Sequence, residues 1–95
     1  MGTADSSMRD ISQVETYARS LEQVSRQVEQ VFGKLKQQTD VIGLNWSDSQ
    51  FNEFRAQFNE NIINQIKGVC ADLRRHSDYA KKQCEHHRRA QQDRL

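Results

Sequence analysis

The chain has 95 residues, a net charge of +1 and 35% hydrophobic residues, with a mean hydropathy of -0.95. That length and polarity point to one domain and exclude a self-sufficient multilayer core, so another chain is expected to complete it. No stretch approaches the ~18 apolar residues of a membrane span, and Met1 to Met8 lack the apolar centre of a signal peptide, so synthesis in the cytoplasm is expected.

Proline is absent and glycine occurs four times, where average usage gives roughly five prolines in such a chain. Long unbroken helices are therefore permitted throughout. Residues 1–7 are small and polar and are expected to form a disordered leader, with Ser6 or Ser7 as candidate caps. From about residue 8 to 42 apolar side chains recur at helical spacing, at Ile11, Val14, Tyr17, Leu21, Val24, Val28, Val31 and Leu35. This is the stripe of an amphipathic, coiled-coil-like helix. Beside it Glu15, Arg19, Glu22, Arg26 and Glu29 alternate in sign, the pattern of a solvated face.

Gly43 can adopt the left-handed conformation that ends a helix, and Asn45, Ser47 and Asp48 bring turn chemistry, so a turn is expected at about 43–47. Ser47 with Gln50 fits a capping box, and Asp48 suits the positive end of the next helix. That second helix is expected over about 48–88. Its stripe, Phe51, Phe54, Phe58, Ile62, Ile66, Val69, Leu73, His76, Ala80, Cys84 and His87, keeps a spacing that predicts a straight helix. The apolar side chains become small or polar after Leu73, and residues of about 89–95 are expected to be a frayed basic tail. Gly33 and Gly68 lie inside the helices at about 1 kcal/mol each relative to alanine, which suggests close approach of a neighbouring helix.

A five-residue turn makes the two helices antiparallel, giving an all-α hairpin that occupies residues 1–95 as a single domain. Two helices cover only part of each other's apolar surface, so two hairpins are expected to dimerise into a four-helix bundle. The expected bundle core is Val14, Leu21, Val28 and Leu35 from the first helix and Ile62, Ile66, Val69 and Leu73 from the second.

Cys70 and Cys84 lie ~21 Å apart along one helix, too far to bridge each other, and are read as free thiols. Cys84, His87, His86 and His76 invite a zinc reading, but a polar helix end is the simpler one, and no metal or cofactor is expected. Residues 74–95 hold 7 Lys/Arg against 3 Asp/Glu, whereas residues 1–73 hold 7 against 10. The pairs Arg74-Arg75, Lys81-Lys82 and Arg88-Arg89 repeat every seven residues and form a basic stripe. Such a stripe suits an anionic surface or nucleic acid, but Asp78, Glu85 and Asp93 dilute it and no aromatics interleave it, so a solvated helix end is preferred. A phosphate-binding glycine loop and paired carboxylates in a recognisable context are missing, so no enzymatic activity is expected.

The lone tryptophan, Trp46, stands in the turn, where small polar residues are usual. Aromatics follow it at five, eight and twelve positions, at Phe51, Phe54 and Phe58. With the chain length and the absence of proline, this pattern resembles the WXG-type family of small type VII secretion proteins, early-secreted-antigen-like helical hairpins with a Trp-x-Gly motif at the central turn. The resemblance covers Met8 to about Gln83. Asp48 replaces the motif's glycine, giving Trp46-Ser47-Asp48, and Gln83 stands four residues after Tyr79, where the family's export signal has Asp or Glu. At Tyr79 and Gln83 that signal is thus degraded or absent.

The resemblance implies a non-catalytic bacterial interaction protein, a substrate or partner of a type VII secretion system that leaves the cell without a cleaved signal peptide. Its partner would be itself or a homologous hairpin, with secretion machinery reading Trp46 and Tyr79. The alternatives are a cytosolic adaptor or chaperone for the N-terminal helical region of a secreted toxin, or a binder of nucleic acid or anionic surfaces through the basic helix.

Overall fold

A computed structural model describes residues 8–93. Helix α1 spans Ile11–Ile42; α2, Ser49–Gln57, leads through a π-helical turn at Phe58–Ile62 into α3, Ile63–Asp93. The last three run on as one arm that folds back along α1, and the result is an all-helical hairpin. Its radius of gyration of 20.4 Å far exceeds the ~12 Å of a compact chain of this length. The molecule is a rod of 69 × 24 × 15 Å.

Helix α1 begins at Ile11 instead of residue 8 because Asp10 caps it. The Asp10 carboxylate accepts from the backbone N–H of Ser12 at 3.0 Å and of Gln13 at 3.2 Å, two of the donors a helix start leaves unpaired. Ser6 and Ser7 lie outside the described residues. At the other end Gly43 is right-handed, with φ -60° and ψ -20°, which corrects the left-handed expectation. The glycine serves a close approach instead, because a Cβ there would stand 2.5 Å from the Arg55 guanidinium.

The cap of the second arm is Asp48, one residue later than the Ser47 expected, and its carboxylate accepts from the Phe51 N–H at 2.7 Å. This arm is not one uninterrupted α-helix. The π turn inserts one residue, so the position facing α1 passes from Phe58 to Ile63, five residues on, where an uninterrupted helix would offer Ile62 after four. Ile63 is buried and Ile62 only half-buried. The helix then continues to Asp93, beyond the expected end at residue 88.

The two arms meet along small side chains at intervals of seven. Ala18 and Ser25 on α1 face Cys70, Ser77 and Cys84 on α3, and all five are essentially fully buried. Ser77 Oγ donates to the Ala18 carbonyl at 2.7 Å, Cys70 Sγ to that of Ser25 at 3.5 Å and Cys84 Sγ to that of Ile11 at 3.8 Å. Side chains that reach the backbone of the opposite helix bring the axes to the close end of the ~8–10 Å range of helix packing. Both cysteines are free thiols, and burial pushes the Cys84 thiol up from its ordinary pKa. Phe51 and Phe58 fill the wider end next to the turn, each contributing ~1.5–3 kcal/mol by burial.

Candidate interaction surface

The turn is built by residues that finish one helix and start the next. The N–H groups of Asn45 and Trp46 both donate to the Ile42 carbonyl, at 2.9 and 2.8 Å, and this tight end points the Trp46 side chain back toward α2. There the ring stacks on Phe51, with centroids 4.9 Å apart and planes 14° from parallel, and its Nε1–H donates to the second carboxylate oxygen of Asp48. Phe54 and Phe58 form a second stacked pair at 5.9 Å. One ring of each pair is buried, Phe51 and Phe58, while Trp46 and Phe54 remain 54% and 52% exposed. An open groove of 380 Å³ lies between them, bordered by Leu35, Thr39, Ile42, Trp46, Phe51 and Phe54.

Behind the groove, Asp40 ties the arms together. Its carboxylate accepts from Lys36 Nζ at 2.9 Å, Arg55 Nε at 3.1 Å and Asn59 Nδ2 at 3.4 Å. The Lys36 ammonium first, with help from Asn59 and Arg55, holds the Asp40 carboxyl at about 2. Two sequence elements converge on this geometry: a central Trp46, and aromatics at five, eight and twelve positions beyond it. A family model for proteins of 100 residues with WXG matches residues 8–90.

The chain belongs to the WXG100 family. Members are small helical secretion proteins of type VII systems, exported without a signal peptide, and they typically pair with helical partners. Neither the curated proteins nor the solved structures returned a match to this WXG100 chain. Among the described residues no helix is long and apolar enough to cross a membrane.

Most of the remaining large apolar side chains of this WXG100 hairpin are arranged by their offset from the seam, Val41 and Leu44 being exposed elsewhere. Tyr17 and Val24 stand one residue before Ala18 and Ser25, and Leu21 and Val28 stand three after them. On α3, Val69 and His76 stand one before Cys70 and Ser77, with Leu73 and Ala80 three after. In an antiparallel pair, equal offsets bring both stripes to the same side of the rod. Tyr17, Val24, Val31, Leu35 and Val69 are 41% to 61% exposed there; Val14, Leu21, Val28, Ile62, Ile66 and Leu73 are half-buried. The eight residues expected to form a bundle core thus line one open face and its edge, while the seam between the arms is made by others. Gly33 and Gly68 meet no side chain of their own hairpin, since a Cβ on either would find nothing within 4 Å.

The opposite side carries the charges. Glu15 pairs with Arg88, Glu22 with Lys81 and Glu29 with Arg74, each pair spanning the two arms. The acidic row read as solvated and half of the basic stripe are therefore each other's partners, and the Lys81 ammonium lowers the Glu22 carboxyl pKa. Arg75 pairs along its own helix with Asp72. His76, Cys84 and His87 do not gather into a group of three or more metal-ligating side chains among the described residues.

Tyr79 is 53% exposed and stacks on His76 at 6.3 Å, and His76 Nε2 in turn meets Tyr17 Oη at 3.0 Å. The trio sits ~45 Å along the rod from the turn, so Tyr79 and Trp46 of one chain cannot touch. Gln83 is half-buried one turn beyond Tyr79. What the sequence reading missed is the Asp48–Trp46 bond, the Asp40–Arg55 tie and the small-residue seam; only the last left a signal, its spacing of seven.

Proposed function

We propose that this chain is a substrate or partner of a type VII secretion system and works as one half of a four-helix bundle, its open face covered by a second helical hairpin. The observation that carries the reading is the separation of charge from that face. In a chain 28% charged, no Asp, Glu, Lys or Arg falls at the offsets that line it, from Val14 to Ile42 and from Ile62 to His87. A face about 42 Å long from Val14 to Ile42 at 1.5 Å per residue, on a rod 24 Å wide, exceeds the ~800 Å² per partner of a standard interface. An uncharged apolar stripe on each arm is what a second pair of helices packs against.

Trp46, Phe54 and the groove between them extend this surface to the turn, and Tyr79 with Gln83 extends it toward the open end. Nothing here calls for chemistry: the activity is recognition between helix faces. Arg74, Lys81 and Arg88 are engaged by α1, which leaves only half of the basic stripe for nucleic acid and makes that reading the weaker one. A toxin's helical N-terminal region is the other occupant that suits the face.

Co-purification of the full chain from its host, with mass spectrometry of what accompanies it, tests the reading. A complex with a second copy or a homologous hairpin is expected, appearing in the culture medium only when the secretion system is intact. Recovery as a lone 11.1 kDa chain, or a toxin as the sole companion, would overturn the two-hairpin bundle.

A further inference from the structure

The turn holds an arrangement that the family's glycine cannot make. Asp48 has two carboxylate oxygens and both are engaged: one accepts the Phe51 N–H and starts α2, the other accepts the Trp46 indole N–H. The ring lies flat on Phe51, with about half of its surface open to solvent. The groove that this open part borders has no charged lining residue, and the Thr39 hydroxyl at its edge donates to the Leu35 carbonyl at 2.8 Å. Tryptophan normally offers a partner both a ring and a donor. Here the donor already has an acceptor within the chain.

We infer that Asp48 is a positioning residue that fixes Trp46 and withholds its N–H, so that the second hairpin meets this tryptophan with an apolar or aromatic side chain and not with a hydrogen-bond acceptor. The inference rests on the reading of Trp46 as part of the bundle surface, and it adds the chemistry of the contact. It also gives Asp48 a role of its own. A glycine at the same place permits the turn but leaves the indole free to rotate and to donate.

Asp48→Asn separates the two jobs of the carboxylate. Asparagine caps a helix as well as aspartate does, but it has one acceptor oxygen, and the amide NH₂ on its other arm opposes the indole N–H donor against donor. Because the chain has a single tryptophan, its indole ¹⁵N–¹H resonance and its fluorescence report this site alone. In the full chain, Asp48→Asn and Asp48→Gly are expected to speed indole N–H exchange by roughly tenfold or more, the scale of losing a hydrogen bond to a charged group. Fluorescence anisotropy falls with it, while helical circular dichroism is unchanged. Exchange in Asp48→Asn as slow as in the unaltered chain would overturn the positioning role.

The pairing and release assays above, run with Trp46→Phe and Trp46→Ala, test the contact. Phenylalanine keeps a ring and lacks the donor, so its pairing is expected within about threefold of the unaltered chain, with alanine well below. A loss with phenylalanine equal to that with alanine shows that the N–H is read and overturns the apolar contact. If the unaltered chain neither pairs nor leaves the cell, the proposed function falls instead, and the exchange measurement still decides what Asp48 does.

Discussion

The two long sides of the hairpin show what each kind of side chain is for. On one side Glu15, Glu22 and Glu29 meet Arg88, Lys81 and Arg74, satisfying charge within the chain and fixing the register of the arms. On the other, Val24, Val31, Leu35 and Val69 are left facing water, at a cost that only a covering surface removes. Between the two sides runs a seam of small residues that widens to Phe51 and Phe58 next to the turn. On the bundle proposed above, the contrast teaches that folding and association draw on different residues, so each can be disturbed while the other is kept.

The largest effect is expected at the seam's aromatic end. Phe58 is only 3% exposed, and Phe58→Ala should lower chain stability by about 3–5 kcal/mol, read as the loss in denaturant unfolding. A change below about 1 kcal/mol would mean that the arms are held elsewhere. Val31→Asp attacks the open side. Val31 is 61% exposed in the single chain, so helix content and monomer stability should stay within about 0.5 kcal/mol. Association should weaken by about 3 kcal/mol or more, over ~100-fold, because the partner would bury an unpaired carboxylate. Equal pairing of the Val31→Asp chain and the unaltered one would remove the open face from the interface.

Ser77→Ala is milder. It keeps the close fit and deletes the donor to the Ala18 carbonyl, for about 0.5–1.5 kcal/mol by thermal unfolding, and pairing should be unaffected.

The smallest effect is expected from acid on the charged side. Asp40 is held at about 2 against an ordinary value of 3.8, and the Glu22 carboxyl is also lowered. The unfolded chain therefore binds protons first as pH falls. The contribution is complete above about pH 4.5, fades through pH 4 to 2, and is gone below the folded value of Asp40. Unfolding midpoints at pH 6 and pH 3 should show a drop that Asp40→Asn reduces, and added salt at pH 6 should weaken the same contribution because these groups are exposed.

The helices, their antiparallel course and the turn at Trp46 were legible because periodicity, missing proline and the Asn45–Asp48 cluster all act locally. The seam was harder. Ala18, Ser25, Cys70, Ser77 and Cys84 repeat every seven residues, but small and polar side chains look like gaps in a hydrophobic pattern, and the larger valines drew attention to the face that stays open. Each charged row was visible alone; matching Glu22 to Lys81 needs the register of two arms, which no local window holds. The π turn leaves only a phase slip, Ile63 facing inward instead of Ile62. Trp46 and Asp48 were singled out as motif positions, but their mutual bond depends on how the chain bends at Ile42, where two N–H groups share one carbonyl.

The small seam residues also set the molecule's calibre. With serine, alanine and cysteine between its arms the folded hairpin is only 24 Å across its two helices, whereas a leucine seam would push the axes toward the wide end of helix spacing. A conduit that takes such a rod end-on has to match its girth and not the length of its chain.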